Sequence, residues 1–312
     1  MGNRNRKTAV SAALGLVLAL GFCLQSCKPP KPRSEETPTS GRLHILASES
    51  QAGIMRREVE EFMQLYPAAT LTMDITTTRD AVVQLLNDSV RFICIDRALN
   101  AEERAVVKKA DLEIDSMHVA EDALAFIVHR ENPLTAVSHE TLEGILSGKL
   151  TAWKQVQGAS GTGSILIACT GRNSGTYELI TRSFFPMKSD IPLAFLADSQ
   201  RAVVDFVSRR NDAIGVVSAS AVRDTAGAFR VLRIETVDST GVKHSVKLHQ
   251  ANIFQGKYPY HYPVYAYYVS KRAGLPNGFA TFMSSQPGQK IFLDAGLVPR
   301  RQPVRLVQLH EE

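Results

Sequence analysis

Ala168-Cys169-Thr170-Gly171-Arg172-Asn173-Ser174-Gly175-Thr176 is the stretch on which the reading of this chain turns. The apolar run Ile165 to Ala168 predicts a strand, and Ser174 to Phe185 predicts a helix stopped at Pro186. A helix start exposes backbone N–H groups without internal partners, and the aligned peptide dipoles make it partly positive. An anion docked there gains several hydrogen bonds. Gly175 lets the backbone approach a ligand, Ser174 and Thr176 add hydroxyls, and Arg172 offers a planar fork suited to phosphate or carboxylate. Taken alone, Ser174 reads more readily as a plain helix cap. The segment is not a P-loop, because the Gly-Lys-Ser/Thr ending is absent.

Outward from this stretch, short apolar runs alternate with amphipathic segments, the pattern of an α/β protein. Strands are predicted at Leu43–Ala47, Leu71–Ile75, Phe92–Ile95, Ala123–His129, Ala213–Val217 and Tyr262–Ser270. Helices are predicted at Ala52–Tyr66, Val82–Leu86, Ala101–Lys109, Thr141–Ser147, Ser199–Arg209, Asn277–Ser284 and Gln286–Ala295. The N-terminus reads differently. Arg4, Arg6 and Lys7 precede an apolar run from Ala9 to Phe22, and Leu24-Gln25-Ser26-Cys27 follows. That order describes a secretory signal over residues 1–26, too short in its apolar part for a comfortable membrane span. Leu-x-Ser-Cys resembles the lipobox of bacterial lipoproteins, which implies acylation of Cys27 and a membrane-anchored position in the cell envelope, facing the periplasm. Residues 27–40, with four prolines among polar residues, read as a flexible tether.

Composition narrows the function classes. The net charge of +5 is concentrated in residues 1–40, where six bases outnumber two acids, so the remainder is near +1. No nucleic-acid-binding surface follows. Apart from Cys23 in the signal and Cys27 of the lipobox, only Cys94 and Cys169 remain, both in apolar runs. They read as two buried thiols, although an exported location permits a disulfide. His118, His129, His139, His244, His249 and His261 show no metal-ligand spacing and no nucleophile-elbow context, so neither a metal, a cofactor nor an enzyme is expected.

Arg172-Asn173-Ser174-Gly175-Thr176 after a strand resembles the anion loop of the periplasmic phosphate-binding proteins (PstS-like) that feed ABC transporters. Four further stretches resemble that family in its order: Asp122 to Pro133, Leu142 to Trp153, Ala213 to Val217, and Gly278 to Phe282 with Gly288 to Ile291 and Gly296 to Pro299. The similarity is greatest to phosphate-binding-like lipoproteins of the Bacteroidetes kind. It implies a two-lobed periplasmic binding protein (type II) with a hinge and an interlobe cleft, residues 41–125 plus 262–312 forming one lobe and 126–261 the other. It implies inorganic phosphate or a similar oxyanion as ligand, an inner-membrane ABC permease as partner, and a monomer. The ligand-binding residues it implies are Ser48, Glu49 and Ser50 in the first loop, Asp96 and Arg97 after the third strand, and Arg172, Asn173, Ser174, Gly175 and Thr176. On that reading Arg172→Ala weakens anion binding by about 2–5 kcal/mol.

Three departures from the family pattern stand out. Only one residue separates Arg172 from Ser174, the first loop carries Glu49, and the family's proton-accepting Asp falls near Arg91. Asp96 or Glu49 is then left to accept the ligand's proton. These departures keep open an alternative, a sensor or interaction lipoprotein of the same fold that is not coupled to transport.

Overall fold

A computed structural model describes residues 36–159, 163–185, 190–223, 229–270 and 274–301. The signal, Cys27 and most of the tether lie outside the described residues. Among the described residues no helix is long and apolar enough to cross a membrane.

The chain order is β1 (Gly41–Ser48), α1 (Ala52–Leu65), β2 (Ala69–Thr76), α2 (Thr78–Leu86), β3 (Phe92–Ile95), α3 (Ala101–Lys109) and β4 (Ile114–His129). Then come β5 (Ala136–Ser138), α4 (His139–Leu146), β6 (Leu166–Thr170), α5 (Gly175–Phe184), β7 (Phe195–Ala197), α6 (Gln200–Ser208), β8 (Ala213–Ser218) and α7 (Ala219–Arg223). The last elements are β9 (Phe229–Val231), β10 (Arg233–Val237), β11 (Lys243–Val246), α8 (Gln250–Phe254), β12 (His261–Val269), α9 (Leu275–Met283), α10 (Gln286–Asp294) and β13 (Val298–Pro299).

One sheet runs in the order β2-β1-β3-β12-β4-β8-β6-β7. Its pivot is β4. The first part of β4, up to Ala123, pairs antiparallel with β12, and Leu124 to Val128 pair antiparallel with β8. The sheet therefore has two halves joined through one strand, with β1, β2 and β3 parallel in one and β6, β7 and β8 parallel in the other.

Each half is covered on both faces, which is why its strands read as continuous apolar runs rather than alternating ones. Side chains of a strand point alternately to its two faces. Phe92 and Cys94 accordingly join the core containing Met55, Phe62 and Phe279, whereas Ile93 and Ile95 join Ala81, Val82 and Leu85 of α2. In β4, Phe126 and Val128 face Leu142, Ile145 and Ile180, while Ala125 and Ile127 face Val203 and Val207 of α6. Cys94 and Cys169 are free and buried.

The fold starts earlier than the sequence suggests. Residues 36–40, expected as the end of the tether, are pinned. Arg91 donates to both carboxylate oxygens of Glu36 at 2.8 and 2.9 Å, and the Leu275 N–H donates to Glu36 at 3.0 Å. Pro38 packs so closely on Gly278 that a Cβ there would overlap its backbone. A proline-rich stretch is extended by its dihedral limits, but a single bidentate ion pair fixes where it stops being free.

Candidate functional site

The topology aims four strand ends at the middle of β4. Ser48 ends β1, Asp96 follows β3, Thr170 ends β6 and Ser218 ends β8. Ligands of open α/β sheets collect outside such carboxyl ends. Here the ends of both halves converge beside Asp122, Ala123 and Leu124.

The first half supplies acids. Asp96 is fully buried. It accepts from the Ser50 hydroxyl at 2.7 Å and from the Thr78 hydroxyl at 2.5 Å, and Ser50 in turn is 3.1 Å from the Ser48 hydroxyl. Asp122, also fully buried, accepts from the Ala123 N–H at 2.7 Å and from the Gln51 amide at 3.3 Å. Burial pushes its carboxyl up to about 6, against the pull of those donors and of the nearby Tyr262 hydroxyl. Glu49 reaches across to the second half, where its Oε1 lies 3.4 Å from the Thr170 hydroxyl oxygen. Its Oε2 is buried without a partner. Burial, and after it the charge of Asp96, raise the Glu49 carboxyl to about 7.

The second half supplies donors. The Ser174 hydroxyl caps α5, accepting from the Tyr177 N–H at 3.1 Å, and receives the Thr170 hydroxyl at 2.9 Å. Thr176 accepts from the Gln200 amide at 2.8 Å, and Gln200 accepts from the Ser218 N–H at 2.8 Å. Ser218 and Ser220 hydroxyls are 2.9 Å apart. Gly175 is where the halves meet. A Cβ at that position would overlap the Asp96 carboxyl group. Only glycine allows a carboxylate to lie against the first turn of α5, where unpaired N–H groups and the helix dipole favour negative charge.

The structure thus brings together Ser48, Glu49, Ser50, Asp96, Ser174, Gly175 and Thr176. It does not bring the other three expected residues into the cluster. Arg172 is half-exposed, paired with Asp190, and its guanidinium lies 5.9 Å from the Tyr177 ring centre. Asn173 is exposed. Helix α5 begins so soon after Arg172 that this side chain stays on the outer side of the turn. Arg97 is buried but engaged elsewhere: its guanidinium donates twice to Glu103, at 2.7 and 2.8 Å, and once to Glu178 of α5 at 2.9 Å. Burial opposes the Arg97 charge, and the two glutamates more than offset it. Arg97 is therefore a latch between the third strand's loop and α5. Arg91, where the family's Asp was expected, is tied to Glu36 away from the cluster, and Asp96 holds the buried position instead.

Six participants escaped sequence reasoning: Gln51, Thr78, Asp122, Thr170, Gln200 and Ser218. Thr78 and Thr170 had a usable signal, since each stands at a strand end or a helix start of the kind that contributes site residues. Asp122 had a weaker one, as an acid opening an apolar strand. Among the described residues no group of three His, Cys, Asp or Glu could hold a metal ion.

A two-half α/β sheet with donors and acids facing each other across its joining strand defines a class, and comparison places the chain within it. Residues 32–287 match the model of the PBP superfamily domain, and the chain belongs to that family. It is a binding protein of the two-lobed periplasmic type, not an enzyme. It is similar to Protein SphX of Synechococcus elongatus, 24% identical over 247 residues that cover 77% of this chain and 72% of that protein. It is also similar to the phosphate-binding protein PstS of Pseudomonas aeruginosa, 22% identical, with 94% and 92% covered. Among solved structures, an ABC-type phosphate transport receptor from Vibrio cholerae superposes with a TM-score of 0.65 at 23% identity, covering 82% of this chain and 99% of that one.

Proposed function

We propose that this protein captures inorganic phosphate, or an oxyanion of the same shape and protonation, between two lobes and delivers it to an inner-membrane ABC permease. The lobes are residues 41–125 plus 262–312 and residues 126–261, with 36–40 added to the first. Acylated Cys27 would hold the protein to the membrane on its periplasmic side, as a monomer. The observation that carries the reading is Asp96, fully buried and set against the first turn of α5 at Gly175. A carboxylate so placed accepts a proton from hydrogen phosphate while Ser174, Gly175 and Thr176 bind its oxygens. Sulfate has no proton to offer and would leave two negative groups unpaired. The named relatives, phosphate-binding PstS proteins among them, support the same ligand.

Isothermal titration of ligand-stripped protein tests it. Heat is expected with phosphate and none with sulfate, and silence with phosphate at neutral pH sinks the reading. Among the described residues Arg97 and Arg172 are both paired elsewhere than the cluster, which favours one alternative: a sensor of the same fold uncoupled from transport. Adjacent permease and ATPase genes would rule it out.

A further inference from the structure

We propose that Glu49 is a specificity-determining residue of this cleft: it takes up a proton from solvent as the anion binds and donates it in a hydrogen bond to an anion oxygen. Each oxyanion then enters together with one proton. The inference rests on the reading that the cleft takes a phosphate-like anion.

The argument starts from where Glu49 lies. It sits on the loop after β1, yet its carboxylate meets Thr170 on β6, so it spans the two halves at the point where an anion would sit. Its second oxygen is buried and has no partner. Among the described residues, the groups that act on the Glu49 carboxyl supply no positive charge. Asp96 approaches from the β3 side, Cys169 from β6 and Tyr262 from β12. Burial raises the Cys169 thiol and the Tyr262 phenol, so both stay neutral. The Thr170 and Ser174 hydroxyls complete the surroundings. Asp122 lies behind, near Tyr262 and Gln51. Arg97 and Arg172, which could have balanced the acids, are paired with Glu103, Glu178 and Asp190.

Asp96 and Glu49 therefore cannot play the same part. One carboxylate can accept the single proton of hydrogen phosphate. A second ionised carboxylate beside the same anion would face lone pairs with lone pairs in a buried space. Protonated, Glu49 becomes a donor, and its orphaned oxygen gains a partner. The free protein already leans that way, because its carboxyl stands at about 7 before any anion is near. An anion beside it moves it further in the same direction.

The test is the pH dependence of phosphate affinity from about pH 8 upward, where nearly all free phosphate is hydrogen phosphate. Uptake of one proton makes Kd rise close to tenfold between about pH 8 and 9. Titrations in buffers of different ionisation heat should report about one proton taken up. Glu49→Gln keeps an N–H donor and removes the proton, so its Kd should be flat over the same range. Glu49→Ser provides a second flat variant should the amide disturb folding, which circular dichroism reads directly. A pH-independent Kd in the parent protein overturns the inference and leaves the phosphate reading intact. A tenfold rise that persists in both variants also overturns it. Absence of binding at every pH overturns the phosphate reading and this inference together.

Discussion

The two halves of the sheet bring opposite chemistry to their meeting point. The fully buried Asp96 and Asp122 and the partly buried Glu49 all come from the half built on β1, β3 and the start of β4. The other half offers Thr170, Ser174, Thr176, Gln200 and Ser218, all neutral, with the first turn of α5 among them. Asp96 lies in the place an anion would favour, against Gly175. The contrast teaches that a ligand here must satisfy acceptors on one side and donors on the other. A small oxyanion carrying a proton does both; a fully deprotonated one does not.

The contrast can be broken most strongly at Asp96. Asp96→Asn turns one carboxylate oxygen into an NH2 donor, so one of the two buried hydroxyls and the ligand proton lose their acceptor. Phosphate affinity should fall by about 3–5 kcal/mol, read by titration calorimetry, while discrimination against sulfate shrinks. Removing the acid at position 49 should act on stability in the opposite sense. Glu49 has a folded-state pKa near 7, above its ordinary value of 4.5, so the native state binds its proton more tightly than the unfolded chain does. Stability from this group is complete below its unfolded value and is lost as pH rises through about 7. Glu49→Gln should therefore be near neutral at low pH and raise the stability of the ligand-free protein above neutrality, by up to about 3 kcal/mol. Thermal unfolding at the two pH values checks this.

Gly175→Ala tests the contact between the halves directly. Its Cβ would overlap the Asp96 carboxyl, so the halves must part or Asp96 must turn away. A loss of about 1–3 kcal/mol in phosphate affinity is expected. The smallest effect belongs to Arg172. Its guanidinium is half-exposed and paired with an exposed Asp190, so Arg172→Ala should change phosphate affinity by less than about 1 kcal/mol. That value replaces the 2–5 kcal/mol drawn from sequence, and a loss in the larger range would mean that the side chain swings inward on binding.

Much of the architecture was legible before any coordinates. Fully buried strands such as Phe92–Ile95 and Ala213–Val217 announce themselves as unbroken apolar runs, and helices such as Ala101–Lys109 by their caps and charge pattern. The first part of β4 was not legible. Asp115, Ser116, His118, Glu121 and Asp122 make Ile114 to Asp122 look like a loop, although the strand begins at Ile114. Its pairing with β12, far along the chain, overrides local polarity. The small strands β5, β10 and β11 were missed for a related reason, being short and held mainly by one another.

Sequence alone located the helix start at Ser174, Gly175 and Thr176, but not Thr170, Gln200 or Ser218 beside it. Ser174, Gly175 and Thr176 act through the helix start that they themselves create, and a helix start is a local matter of capping and backbone geometry. It also determined that acids at 49 and 96 stand on strand-end loops. Tertiary structure decided the charge balance. Which arginine meets which acid depends on through-space geometry between segments far apart in the chain, as Arg97 with Glu178 and Arg172 with Asp190 illustrate. Burial, which gives Glu49 and Asp122 their unusual affinity for protons, likewise exists only once the two halves are folded against each other.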